Sequence, residues 1–147
     1  MDSEVREIVG VIVFDGEKFL LLHRVMNWIG WEFPKGGIDA DEPIEKALAR
    51  ELFEETGLKD FELVDKIDEF TFSDKKRMHQ THATVFLVRV ASTSRVSFDN
   101  QELVGGKRLV EHDYFKWFLP AEAVKTLTHA DTKNSLRKAI QMLGLSE

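Results

Sequence analysis

The chain contains no cysteine. Disulfides, a thiolate nucleophile and cysteine-ligated zinc are therefore excluded, and any chemistry must come from carboxylates, histidine, lysine and arginine. Also missing is an apolar run of the roughly 18 residues that a membrane-spanning helix needs, so no membrane partner is expected. The opening residues, MDSEVRE, are acidic, and no apolar segment with a small-residue cleavage site follows them. That pattern is not an export signal and predicts a cytoplasmic protein. Positive charge is in deficit, with 20 Lys and Arg against 26 Asp and Glu and a formal charge of −6. Such a balance argues against nonspecific binding of duplex DNA. It leaves room for a small polyphosphate whose charge a metal ion neutralises.

What is present is an ordinary globular composition, 43% hydrophobic and 31% charged over 147 residues. That length supports one domain with a full core, and with no linker or repeat in view residues 1–147 are read as a single domain. Val5 to Phe14 is largely β-branched and apolar, Asp15-Gly16 is a two-residue turn signal, and Glu17 to Val25 continues as a second strand. Residues 26 to 41, with two Trp, Pro34 and Gly36-Gly37, read as a shaped loop. A helix is expected from Glu42 to Thr56, with Asp41 as N-cap, Pro43 in its first turn and Gly57 just past its end. Ile44, Leu48 and Leu52 give it an apolar stripe. Strands follow at Phe61 to Phe72 and His82 to Val90, joined by a basic turn around Lys75, Lys76 and Arg77. Residues 91 to 107 read as a loop with at most one short element. A strand near Tyr114 to Phe118, a short helix opened by Pro120, and a last helix capped by Asp131 complete a mixed sheet covered by helices.

Five glutamates fall within Gly36 to Leu58. Three of them, Glu51, Glu54 and Glu55, stand at i, i+3 and i+4, so on a helix they share one edge over an arc of about 100°. Carboxylates so close repel one another unless a cation sits between them. Oxygen ligands suit hard divalent cations, which makes Mg²⁺ or Mn²⁺ the natural partner.

Gly36, five residues, Glu42, seven residues, and then Arg50-Glu51-Leu52-Phe53-Glu54-Glu55-Thr56-Gly57-Leu58 match every fixed position of the Nudix box, here residues 36–58. The chain resembles Nudix hydrolases over essentially its whole length. The resemblance implies the Nudix α/β/α sandwich, with a mixed central sheet and a strand-loop-helix catalytic box. It also implies an enzyme that uses water and Mg²⁺, with Mn²⁺ as a substitute, to attack a nucleoside diphosphate linked to another moiety. Glu51, Glu54 and Glu55 become metal ligands, and the backbone of Gly36 and Gly37 completes the site. Arg50 either orients a box glutamate or forms a helix-surface ion pair. Glu42 is either a further ligand or a complement to the helix dipole. Glu45 reads as ordinary helix surface.

The general base in this family is sometimes a box glutamate and sometimes one from a later loop, so Glu54 and Glu111 are both catalytic candidates. Val110 to Phe118, VEHDYFKWF, resembles the Glu-containing turn and Trp strand of dinucleoside polyphosphate hydrolases and bacterial RNA pyrophosphohydrolases. Glu111 is therefore the preferred fourth carboxylate, as metal ligand or as base, with Glu102 as backup. Trp31 to Ile38, WEFPKGGI, resembles the same two subfamilies. Lys35 is a candidate phosphate contact, as is Arg24 late in the second strand. Trp28 is a candidate for stacking a base, while Trp31 and Trp117 read as core. Phe86 lies where such hydrolases often carry a nearby Tyr, and the only Tyr here is Tyr114. His79 and His82 stand near the basic turn. The resemblance thus implies a nucleoside polyphosphate substrate, first diadenosine tetraphosphate cut asymmetrically to ATP and AMP. An RNA 5′ end or a nucleoside triphosphate is the alternative, and a noncatalytic nucleotide-binding regulator the distant one. Monomer and homodimer both stay open.

Overall fold

The computed structural model describes residues 5–74, 79–98, 103–104, 107–108 and 110–147. Strand β1 spans Val5–Phe14 and β2 spans Phe19–Arg24. Between them Asp15 closes the turn, its Oδ1 accepting from the N–H groups of Glu17 and Lys18 at 2.9 and 2.6 Å. Gly16, at φ 101°, supplies the left-handed position that the turn needs.

The stretch from 26 to 41, expected as a loop, contains two three-residue strands, β3 at Gly30–Glu32 and β4 at Lys35–Gly37. Neither has a local signature of its own: β3 is the short return arm of a hairpin with β2, and β4 pairs with the more distant β1. β4 runs antiparallel to β1, with Val9 opposite Gly36, and β3 runs antiparallel to β2, with Leu22 opposite Glu32. Helix α1 is Ile44–Thr56 and starts later than expected. Asp41 does not cap it. Its backbone sits at φ 62°, and the extended Pro43 takes the N-cap position. Glu42 therefore lies outside the helix, away from the first turn that would have given it a dipole role. Gly57 ends the helix as expected, left-handed at φ 75° with its N–H bonded to the Phe53 carbonyl.

Strands β5, Glu62–Asp74, and β6, His79–Arg89, form the long antiparallel pair. A small hairpin, β7 at Leu103–Val104 with β8 at Lys107–Arg108, stands in the segment read as a loop. Strand β9 is His112–Phe118, α2 is Pro120–Thr126 and α3 is Ala130–Met142. His129, not Asp131, is the α3 N-cap residue, and Asp131 lies inside the first turn. The turn residues Lys75, Lys76 and Arg77, the backup glutamate Glu102, and Gly105-Gly106 lie outside the described residues.

The sheet runs β3-β2-β1-β6-β5, with β4 added on β1 and β9 on β2. Only β1 and β6 are parallel, so the sheet is mixed. Period-two alternation sends Val9, Val11 and Val13 to one face, where they bury against Leu48 and Leu52 of α1. Ile12 and Phe14 point to the other face and pack with Val124 of α2 and Leu136 and Ile140 of α3. The result is the expected α/β/α sandwich. One departure from a regular sheet positions the site. β1 and β2 are in register only at Phe14 and Phe19. Beyond that point they part, with β4 on β1 and β3 on β2 inside the fork beside the C-terminal half of α1, while β9 runs along the other edge of β2. Among the described residues no helix is long and apolar enough to cross a membrane.

Candidate active site

The fork gathers Glu32 from β3, Lys35 to Gly37 from β4, Glu111 and His112 at the start of β9, and the box glutamates from α1. Arg50 ties the box together. Its Nε and Nη2 donate to both carboxylate oxygens of Glu42 at 2.9 and 2.8 Å, Nη1 donates to Glu51 Oε1 at 2.7 Å, and Nη2 also reaches the Gly37 carbonyl at 2.9 Å. Both contacts expected for Arg50 are present, the hydrogen bond to the box glutamate Glu51 and an i,i+4 ion pair with Glu54 on the helix surface. The hydrogen bonds from Arg50, joined by a backbone N–H from Asp39, hold the Glu42 carboxyl down to about 2. Glu54, on the next turn, has its Oε2 3.6 Å from Arg50 Nη1.

Among the box carboxylates the fold buries Glu55 and half-buries Glu51. Burial pushes the Glu51 carboxyl up to about 7, against the pull of Arg50 and with the repulsion of Glu54 and Glu111. Its carboxylate presses on β4 so closely that a Cβ at Gly36 would overlap it. Glu55 is 6% exposed. Its Oε1 accepts the Lys35 N–H at 2.6 Å, and its Oε2 has no hydrogen-bond partner. Burial, then repulsion from Glu111 and Glu32, raises the Glu55 carboxyl well above its ordinary value. The helix edge thus carries one buried carboxylate, Glu55, with an oxygen that no hydrogen bond satisfies, beside Glu51, which Arg50 holds.

Sequence reasoning missed the partners behind this edge. Glu32 is 2% exposed. Its Oε2 accepts from Arg24 Nη1 at 3.0 Å and from His112 Nε2 at 2.8 Å, and its Oε1 lacks a hydrogen-bond partner, with Lys35 Nζ 3.5 Å away. Burial works to raise the Glu32 carboxyl, but the His112 hydrogen bond with Lys35 and Arg24 outweighs it and brings it to about 2. His112, also buried, has Nδ1 3.5 Å from Glu55 Oε2. Arg24, expected as a phosphate contact, is turned inward. Besides Glu32, its Nη1 holds Glu111 Oε1 at 2.6 Å, its Nε donates to the Met26 carbonyl, and its guanidinium lies 5.4 Å from the Trp28 ring centre. The signal that would have found this cluster is a lone acid, Glu32, between Trp31 and Phe33 in a segment short enough to be buried.

Among the described residues the group of three whose ligand atoms all lie within 4.8 Å of one another is Glu32, Glu111 and His112, and it could hold a metal ion. Arg24 Nη1 already joins two of them. The trio of Glu51, Glu54 and Glu55 is not such a group.

On the sheet face opposite α1, a pocket of about 380 Å³ opens beside this site. Its walls are mainly apolar, from Trp28, Phe33, Phe70, Phe72 and Val85, with Glu32 and Lys35 at one end and the start of α3 at the other. Gly10 lines it too and leaves space where a side chain would stand. Trp28 meets His129 edge-on at 4.5 Å. Phe86 is buried beneath α1 and has no access to a base. Tyr114 is exposed and touches Trp31 edge-on at 6.2 Å. His82 is occupied by Glu7 at 2.6 Å, and His23 by Asp113 at 2.7 Å.

Comparison with known proteins matches a NUDIX domain model over residues 5–140. Similar curated proteins include RNA pyrophosphohydrolases from Caulobacter vibrioides, 42% identical over 66 residues, and Teredinibacter turnerae, 49% identical over 55 residues. These matches cover 43% and 37% of this chain, and 38% and 32% of the relatives. The chain thus spans about a third of the length of the curated relatives it matches. Among solved structures, a C. elegans Ap4A hydrolase binary complex superposes with a TM-score of 0.78 at 21% identity, over 95% of this chain and 98% of that one. The Nudix domain of Shewanella oneidensis NrtR with ADP-ribose gives 0.71 at 17% identity, over 97% and 90% of the two chains. With the domain model running from the first strand into the last helix, the chain belongs to the Nudix hydrolase family.

Proposed function

We propose that the chain hydrolyses a phosphoric anhydride in a nucleoside-linked polyphosphate with Mg²⁺, or Mn²⁺ in its place, held by Glu51, Glu54, Glu55 and Glu111. The observation that carries this reading is Glu55, a buried carboxylate with a partnerless Oε2 beside further acids. A buried charge that the fold leaves uncompensated is costly, and a divalent cation is the partner that relieves it. The donor set is carboxylate oxygen, which fits a hard cation. Gly36 fits as well, since a side chain there would displace Glu51.

When bound, the cation neutralises the non-bridging phosphate oxygens and acidifies a water. The protein's residues do the rest. The water oxygen bonds to one phosphorus as a bridging oxygen leaves it, and Glu111, with Glu54 as the box alternative, takes the water proton. Arg50 fixes Glu51 in place, Lys35 contacts a phosphate as a mobile positive charge, and the backbone of Gly36 and Gly37 admits the polyphosphate. Arg24 serves here through its hold on Glu111.

Within this class we favour asymmetric cleavage of diadenosine tetraphosphate to ATP and AMP. An aromatic pocket with Glu32 and Lys35 at one end would seat one nucleoside and leave the other outside, which would break the symmetry of a symmetric substrate. Lys35 is the only lysine or arginine among the described residues lining it, and Arg24 and Arg50 are engaged by carboxylates. The second reading, an RNA 5′-end pyrophosphohydrolase, draws on the RNA pyrophosphohydrolases matched at 42% to 49% identity. Mass spectrometry of products from diadenosine tetraphosphate, ADP-ribose, deoxynucleoside triphosphates and triphosphorylated RNA separates them. ATP plus AMP from the tetraphosphate supports the first, and preferential release of pyrophosphate from RNA ends overturns it. Tight nucleotide binding with no turnover of any of these would instead support a noncatalytic regulator.

A further inference from the structure

Glu32 stands outside the box, and its place in the fold asks for a reason. A carboxylate 2% exposed must be stripped of water, a loss that hydrogen bonds and ion pairs recover only in part. A well-packed apolar residue of similar size would meet no such loss, so stability alone is a poor reason for an acid here. Its geometry supplies a better one. A single oxygen, Oε2, accepts from two directions, from Arg24 on β2 and from His112 on β9. Each of those partners leads to a carboxylate of the proposed site. Arg24 Nη1 continues to Glu111 Oε1 at 2.6 Å, and His112 Nδ1 stands 3.5 Å from Glu55 Oε2. Glu111 and His112 are neighbours in the chain, so one buried anion restrains two consecutive side chains where β9 begins. β2 and β9 also shift register at His23 and Arg24, which places Arg24 opposite His112.

We propose that Glu32 is a positioning residue, orienting Glu111 through Arg24 and holding His112 beside Glu55. Arg24 is then the internal cation of this side of the site, taking up the charge of Glu32 and Glu111 together. The inference rests on the reading that Glu111 belongs to the catalytic machinery, and its test separates the two.

The experiment is a double-mutant cycle of Glu32→Gln and Glu111→Gln. The substrate is whichever of diadenosine tetraphosphate and 5′-triphosphorylated RNA the unmodified enzyme cleaves. Positioning predicts that E32Q lowers kcat by about tenfold or more with KM within about twofold, the range seen when an outer partner of a functional ligand is removed. In the E111Q background the further loss from E32Q should be smaller by about threefold or more, because the route through Arg24 is gone and only the hold on His112 remains. Independent, multiplying losses overturn the inference, as does wild-type kcat in E32Q or a rise in KM alone. An impaired E111Q beside a fully active E32Q sinks the inference and spares the active-site reading, whereas a fully active E111Q sinks both. Should E32Q not fold, Glu32→Asp keeps the charge, withdraws it by one methylene, and runs through the same cycle with the same criteria.

Discussion

Replacing Gly36 with alanine perturbs the site through one added methyl group. The backbone at Gly36 is ordinary strand, opposite Val9 in the β1–β4 pair, so alanine can adopt it. By itself the change removes freedom from the unfolded chain and favours folding by about 0.4 to 1 kcal/mol. Against that gain stands the Glu51 carboxylate, which the new Cβ would overlap. Glu51 must rotate away and release Arg50 Nη1, now 2.7 Å from its Oε1. A hydrogen bond involving a charged group contributes about 1.5 to 3 kcal/mol. Arg50 keeps its two contacts with Glu42 and the one with Gly37, so the upper end of that range does not apply. The net stability loss is thus on the order of 1 kcal/mol. Function should suffer more, because the displaced group is a proposed metal ligand, for which loss of geometry lowers affinity or activity about 10- to 100-fold. Mn²⁺ titration by calorimetry, kcat at saturating metal, and urea unfolding of G36A measure the three quantities. Metal affinity and kcat both within about twofold of the unmodified protein would refute the reasoning, whatever the stability.

Glu51 and Glu55 carry raised folded pKa values, Glu51 about 7, so the folded state holds protons that the unfolded chain releases near pH 4.3. Stability of protein stripped with EDTA should fall as pH rises from about 4.3 towards 7, and added Mg²⁺ should restore it; a thermal melt flat across that window contradicts this. Glu55→Gln should flatten the loss and abolish turnover, and a variant as pH-sensitive as the parent would count against Glu55 as its source. Trp28→Ala should raise KM for a nucleoside-bearing substrate about 5- to 100-fold, the equivalent of about 1 to 3 kcal/mol of stacking, with Mn²⁺ affinity unchanged; steady-state kinetics decide it. Leu52, fully buried on the sheet-facing side of α1, should cost about 2 to 5 kcal/mol when cut to alanine, as read from urea unfolding.

Those elements that follow local rules were legible before any coordinates. β1 has the bounds expected from its β-branched run, Val5 to Phe14, and Gly57 ends α1 as its left-handed propensity implies. The spacing of Glu51, Glu54 and Glu55 placed them on one helix edge from periodicity alone. What escaped is nonlocal. β3 and β4 are three residues each; β3 closes a short hairpin on β2, and β4 holds only because β1, about 25 residues earlier, offers it an edge, which no short window of sequence reports. Asp41 has the composition of an N-cap, yet its left-handed backbone hands that position to Pro43. Arg24 illustrates the limit most sharply. A basic residue near a phosphate site reads as a phosphate contact, and only the fold reveals two acids, one 8 and one 87 residues away, that take its guanidinium first. Charge partners across strands have no signature until the register is known.

The central claim is that this chain cleaves a phosphoric anhydride with water at a metal held by the box carboxylates. Its most direct test is incubation with diadenosine tetraphosphate in ¹⁸O water, with Mg²⁺ and with EDTA, followed by mass spectrometry. The account predicts one ¹⁸O atom in one of two unequal products, ATP or AMP, with Mg²⁺ and no cleavage with EDTA. Undiminished cleavage in EDTA, or products free of ¹⁸O, would contradict it.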